Sequence, residues 1–141
     1  MNKDDLRKLH AVEDHTRAFR NLRYVYPVIS RRAGGLSLGV NLNPNRLCNF
    51  DCVYCEVERS APLSPTAEKS GIDIPLLKEE LSRLLKQALS GELGEEPKFA
   101  QAGALLRQVR DVSFSGDGEP TLCPDFPEAV WAVGEVLKDF D

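Results

Sequence analysis

Gly35-Leu36-Ser37-Leu38-Gly39-Val40-Asn41-Leu42-Asn43-Pro44 places apolar side chains at every second position from Leu36 to Leu42 and breaks at Asn43-Pro44-Asn45. This alternation, following the Gly34-Gly35 turn signal, predicts a buried strand over 36–42. Directly beyond it, Cys48-Asn49-Phe50-Asp51-Cys52-Val53-Tyr54-Cys55 sets three of the four cysteines within eight residues on a loop. Asn41 and Asn43 read as caps for hydrogen bonds at the strand end and carry no chemistry in this reading.

Working outward, Leu77, Leu81, Leu84, Leu85 and Ala88 recur at helical spacing. Pro75 suits a first turn with Asp73 or Ile74 as the boundary, and Gly91 can close the last turn after Ser90. Glu56 to Gly71, with prolines at 62 and 65, reads as a connection, and Gly91 to Arg110 as a loop with a short helical turn. Asp111 to Ser115 predicts a second strand, Val112 and Phe114 facing one side, that runs into Gly116-Asp117-Gly118-Glu119-Pro120. Phe126, Ala129, Val130, Val133, Leu137 and Phe140 mark a last helix over about 125–139, with Pro127 in its first turn. Upstream, Asp4 to about Arg20 reads as a helix on the loose stripe Leu6, Leu9, Val12 and Phe19.

Strand, loop and helix, repeated twice, are the unit of a parallel α/β fold, in which working residues sit on loops after the C-terminal ends of strands. The reading divides the chain into 1–34, a helix and lead-in, and 35–141, the first βα units. Two strands cannot close a parallel sheet or cover both of its faces, so the chain reads as part of a larger fold.

The 141 residues, 42% apolar and 28% charged, describe an ordinary globular domain. No apolar run approaches the roughly 18 to 20 residues of a membrane-spanning helix, and the charged start Met1-Asn2-Lys3-Asp4-Asp5 has no secretory core. A cytoplasmic location is therefore expected, where clustered cysteines favour metal binding over disulfides. The net charge of −4 is unevenly spread, because residues 1–47 carry nine Lys and Arg against four Asp and Glu. Arg17, Arg20, Arg23, Arg31, Arg32 and Arg46 can contact phosphates, or form a solvated basic face. His10 and His15, five apart, do not share the helical face a metal pair needs.

Three thiolates leave one iron of a four-iron cubane open to a small molecule, and soft sulfur donors prefer iron or zinc over hard cations. The same trio also fits a zinc site completed by Cys123 or a histidine, although zinc ribbons bring two Cys-x-x-Cys pairs and here there is one. Cys123 otherwise reads as a small buried residue.

Cys48-x-x-x-Cys52-x-Tyr54-Cys55 resembles the signature loop of the radical S-adenosylmethionine (radical SAM) enzymes. Tyr24-Val25-Tyr26-Pro27-Val28-Ile29-Ser30-Arg31-Arg32 before it and Asp111-Val112-Ser113-Phe114-Ser115-Gly116-Asp117-Gly118-Glu119-Pro120-Thr121-Leu122 after it extend the resemblance from about Tyr24 to the end of the chain. The likeness is to the branch that includes wyosine-type transfer-RNA modifying enzymes. It implies an α/β fold that is the N-terminal portion of a partial (β/α)6 radical SAM barrel, incomplete in this chain. It further implies an oxidoreductase in which Cys48, Cys52 and Cys55 bind three irons of a 4Fe–4S cluster and S-adenosyl-L-methionine binds the fourth. Gly116 and Gly118 would let the strand end approach the methionyl group, Glu119 would receive its ammonium, and Tyr54 would lie near the adenine. The implied partners are an electron donor such as flavodoxin or ferredoxin and an RNA or nucleotide substrate. The competing reading is a zinc-stabilised RNA-binding module without catalytic activity, using its basic N-terminal third.

Overall fold

The computed structural model describes residues 19–44, 52–55, 71–97, 99, 100, 102, 103 and 108–140. Among these the order is β1 (Val25–Ser30), β2 (Gly35–Val40), α1 (Ile74–Ser90), a 3-10 turn (Glu92–Glu95), β3 (Val109–Phe114), a second 3-10 turn (Pro120–Leu122) and α2 (Phe126–Lys138). The sheet order is β1-β2-β3, with β1 antiparallel and β3 parallel to β2. The architecture is thus a small mixed α/β one, and the barrel implied by the resemblance is not among the described residues.

The predicted strands are present as β2 and β3, and β1 is an addition. Its sequence, Val-Tyr-Pro-Val-Ile-Ser, lacks a clean alternation and contains Pro27, which has no N–H to give a central ladder. An outer position accommodates that proline. The hairpin into β2 closes with Gly34 at φ +75° and its N–H on the Ser30 carbonyl at 2.9 Å. A left-handed backbone there suits glycine. This hairpin pairs residues on both sides of the division drawn at residue 34.

Register separates the two faces of the sheet. Val25, Ile29, Leu36, Leu38 and Val40 share one face and cluster with Leu77, Leu81, Leu84, Leu85 and Ala88 of α1 and with Ala129, Val133 and Val136 of α2. Phe99 and Leu93, from the segment read as a loop, are fully enclosed in the same core. The opposite face carries Gly35, Ser37 and Gly39 of β2, alongside Tyr26, Asp111 and Ser113. Ser37 donates a short hydrogen bond to the Asp111 carboxylate. A Cβ on Gly39 would lie 2.5 Å from the Tyr26 ring at Cε1 and closer still to Cζ, so the tyrosine occupies the space a side chain would take.

Helix α1 forms as its sequence predicts. The Asp73 carboxylate accepts the Leu76 N–H at 3.1 Å, Pro75 lies in the first turn, and Gly91 at φ +86° ends the helix. Its one buried charge, Glu80, is 4% exposed and accepts the backbone N–H groups of Arg23 at 2.7 Å and Tyr24 at 2.9 Å. The Tyr24 hydroxyl in turn accepts the Asp73 N–H at 3.0 Å. Two neighbouring amides just before β1 and one at the start of α1 are thereby satisfied by groups from the other segment.

Helix α2 departs from the predicted stripe at one point. Val130 is exposed, and so is Trp131, while Ala132 and Val136 face inward beside Ala129 and Val133. Alanines on the packed side let the helix approach its neighbours closely, a preference of size that an apolar period does not register. Asp125 at its start gives its carboxylate to the Ile72 N–H at 2.9 Å, which ties the approach of α1 to the start of α2.

The helix expected over Asp4 to Arg20 lies outside the described residues except at its end. There Arg20 and Asn21 take left-handed φ values of 46° and 62°, and the Leu22 N–H returns to the Phe19 carbonyl at 2.8 Å. That is a tight turn, not a helix. Among the described residues no helix is long and apolar enough to cross a membrane.

Candidate functional site

Because β2 and β3 run parallel, their C-terminal ends open on the same edge of the sheet. The ladder continues past both strands: the Ser115 N–H donates to the Val40 carbonyl at 3.1 Å and the Asn41 N–H to the Tyr24 carbonyl at 2.6 Å. Asn41, 3% exposed, then turns its side chain toward the loop after β3. Its Oδ1 accepts the Asn43 N–H at 3.0 Å and the Asp117 N–H at 3.2 Å, and its Nδ2 donates to the Asp117 carboxylate at 2.7 Å. Gly116 passes so close that a Cβ there would lie 2.5 Å from Asn41 Cγ and 2.7 Å from its Cβ.

The remainder of this loop is braced from within. Gly118 sits in the bend after Gly116. The Glu119 carboxylate accepts the Thr121 hydroxyl at 2.8 Å and the Thr121 N–H at 3.4 Å, capping the turn Pro120–Leu122. Tyr26 holds the base of the loop, its hydroxyl donating to the Ser115 carbonyl at 2.8 Å.

The thiol loop is described at 52–55. The Cys55 N–H donates to the Cys52 carbonyl at 3.0 Å and closes a tight turn. Cys52 is half-buried, Cys55 exposed, and Tyr54 82% exposed. Cys52, by hydrogen bonding and by charge, pushes the Tyr54 hydroxyl pKa up, and Glu119 and Cys55 act more weakly in the same direction. The thiol turn and the Glu119 end of the glycine loop therefore lie within electrostatic reach of one another.

Other candidates stand elsewhere. Cys48, His10, His15, Arg17 and Arg46 lie outside the described residues. Among the described residues no three His, Cys, Asp or Glu side chains converge on a metal position. Cys123 belongs to the core, 8% exposed, and burial raises its thiol pKa. Arg31 and Arg32 are exposed on the β1–β2 hairpin, at the far end of β2 from the thiols. Arg20 pairs with Glu96 at 2.5 Å, and the Arg23 guanidinium lies 5.2 Å from the centre of the Tyr24 ring.

Sequence reasoning singled out the thiols and the glycine loop as candidates and gave Asn41 no role beyond a strand-end cap. An asparagine past a strand is common, and nothing local to it points to Asp117, 76 residues later.

No family model matches the chain, and no solved structure matches it. The chain is similar to a UPF0026 protein of Methanocaldococcus jannaschii, with 34% identity over 115 residues that cover 82% of this chain and 29% of that protein. A UPF0026 protein of Helicobacter pylori is 31% identical over 123 residues, 86% of this chain and 33% of its own length. A protein named GTPase Obg, of Brachyspira hyodysenteriae, is 26% identical over 110 residues, 78% of this chain and 13% of its own length. The chain spans about a third of the length of the UPF0026 relatives it matches.

These relatives correct the family reading. They carry the UPF0026 name at 30–34% identity over most of this chain, and no radical SAM family is indicated. The physical reason is that Cys-x-x-x-Cys-x-x-Cys constrains only the spacing of three sulfur donors. Any sulfur-ligated centre can use such a loop, so the spacing alone does not identify a family.

Proposed function

We propose that the loops after β2 and β3 form a cofactor site, in which Cys48, Cys52 and Cys55 hold three irons of a 4Fe–4S cluster. The fourth iron is left for S-adenosyl-L-methionine, received by Gly116, Gly118 and Glu119 with Tyr54 beside them. The single observation that supports this reading is the parallel pairing of β2 and β3, which sends the segments carrying the thiols and the glycine loop off the same edge of the sheet. A turn that presents one half-buried and one exposed cysteine suits a centre held at the edge of the sheet, and soft thiolates suit iron. A cluster held by Cys48, Cys52 and Cys55 would supply one-electron reductive chemistry toward the sulfonium of S-adenosyl-L-methionine, with the electron coming from an external reduced carrier.

The chain's own residues do the rest. Gly116 and Gly118 keep the strand end free of side-chain bulk, and the Glu119 carboxylate would receive the ammonium of the methionyl group. A reduced carrier such as flavodoxin or ferredoxin supplies the electron, and an RNA or nucleotide is the substrate class. In this reading the sheet is the start of a partial (β/α)6 barrel that the remaining two thirds of a relative-length protein completes. The GTPase name of one relative is not carried over, since the chain has no Gly-x-x-x-x-Gly-Lys-Ser/Thr phosphate loop.

The test is anaerobic reconstitution of the full-length protein. About four irons per chain and a paramagnetic signal after dithionite are expected. Alanine at Cys48, Cys52 or Cys55 should abolish both. Stoichiometric zinc without visible absorption would overturn the reading in favour of a structural metal site.

A further inference from the structure

We propose that Asn41 is a positioning residue that sets the glycine loop against the thiol loop, so that the groups receiving S-adenosyl-L-methionine face the open iron. This rests on the function proposed above and goes beyond it, because Asn41 itself touches neither cofactor. A strand-end cap needs one hydrogen bond, whereas Asn41 makes three. One goes to Asn43, where the chain sets out for the cysteines, and two go to Asp117, two residues before Glu119.

Only one orientation of the amide serves all three bonds. Its oxygen must face the two N–H donors and its nitrogen the carboxylate; flipped, nitrogen would meet donors and oxygen would meet the carboxylate. Gly116 completes the arrangement, since any Cβ there would displace the Asn41 side chain. The start of the segment that leads to the cysteines and the glycine loop are therefore both tied to one buried side chain.

The pair can be broken and rebuilt. Asn41→Asp keeps an acceptor for both N–H groups but sets a second carboxylate against Asp117, which removes the charge-assisted bond and adds repulsion. Adding Asp117→Asn restores one donor and one carboxylate with their places exchanged. A merely structural role would lower the melting temperature of N41D in step with its affinity, whereas a positioning role lowers affinity in protein that keeps its iron and its melting temperature.

The experiment uses the full-length protein, reconstituted anaerobically, with S-adenosyl-L-methionine affinity, iron content and melting temperature measured on the same samples. N41D should retain its iron and lose about tenfold in affinity, and N41D/D117N should recover most of it. In the iron-free protein, Asn41→Ala should speed amide exchange at Asn43 and Asp117 by about tenfold, a readout independent of any activity. Unchanged affinity in iron-loaded N41D, loss of its iron, or absence of rescue would each sink the role of Asn41 alone. Wild-type protein that takes up no iron would instead sink the underlying function, and this role with it.

Discussion

The two faces of β2 are built on opposite rules. Leu36, Leu38 and Val40 fill space against the helices, while Gly35, Ser37 and Gly39 leave space that neighbouring strands occupy. The first face is stabilised by apolar burial in proportion to the area removed from water. The second is specified by fit: the Tyr26 ring lies over Gly39, the Arg110 side chain lies over Gly35, and Ser37 bonds Asp111. Volume removed from one face and volume added to the other should both destabilise, for different reasons.

The largest effect is expected on the filled face. Leu38→Ala empties a fully enclosed position and should cost about 2–5 kcal/mol in chemical denaturation. A value below about 1 kcal/mol would mean that the core collapses onto the gap and that this face is not close-packed. Next comes Gly39→Ala, which forces the Tyr26 ring aside and strains its bond to the Ser115 carbonyl; about 1–3 kcal/mol is expected. In a Tyr26→Ala background the same change should cost almost nothing. A double-mutant cycle showing no coupling would remove the tyrosine from the account of this face.

The smallest effect belongs to neither face and serves as the baseline. Lys78 and Glu135 pair at 2.7 Å between α1 and α2, with both side chains over 40% exposed. The hydrogen bond from Lys78, then its charge and the Trp131 indole N–H, hold the Glu135 carboxyl below its ordinary pKa. A depressed carboxylate pKa stabilises the folded state above the unfolded-state value, and that contribution disappears as pH falls through the folded-state value. Lys78→Met should therefore lower the melting temperature slightly at neutral pH. The gap should close both in acid, below the usual glutamate range, and in high salt. A gap that widened in acid would contradict this assignment.

Much of the framework was legible in the sequence where one element decides its own structure. Asp73, Pro75, the leucine spacing and Gly91 announce α1 without reference to anything distant. The alternation around Leu38 and the glycine loop after Phe114 announce a parallel pair in the same way. What escaped depends on partners far along the chain. Strand β1 shows no alternation because Tyr26 packs on a glycine known only from register, and the entry turn uses Arg20 at a left-handed φ that its type does not advertise. In the candidate site, cysteine spacing is a local signal and was read. The joint made by Asn41, Gly116 and Asp117 requires the ends of β2 and β3 to be side by side first.

The carboxylate of Glu80 holds the amides of Arg23 and Tyr24, 57 and 56 residues earlier in the chain. On a ribosome adding about 5–20 residues per second, the lead-in to β1 therefore emerges roughly 3 to 11 seconds before the group that anchors it. Until then those amides rely on water, and the nascent hairpin has only its own ladder to keep it from pairing with other chains.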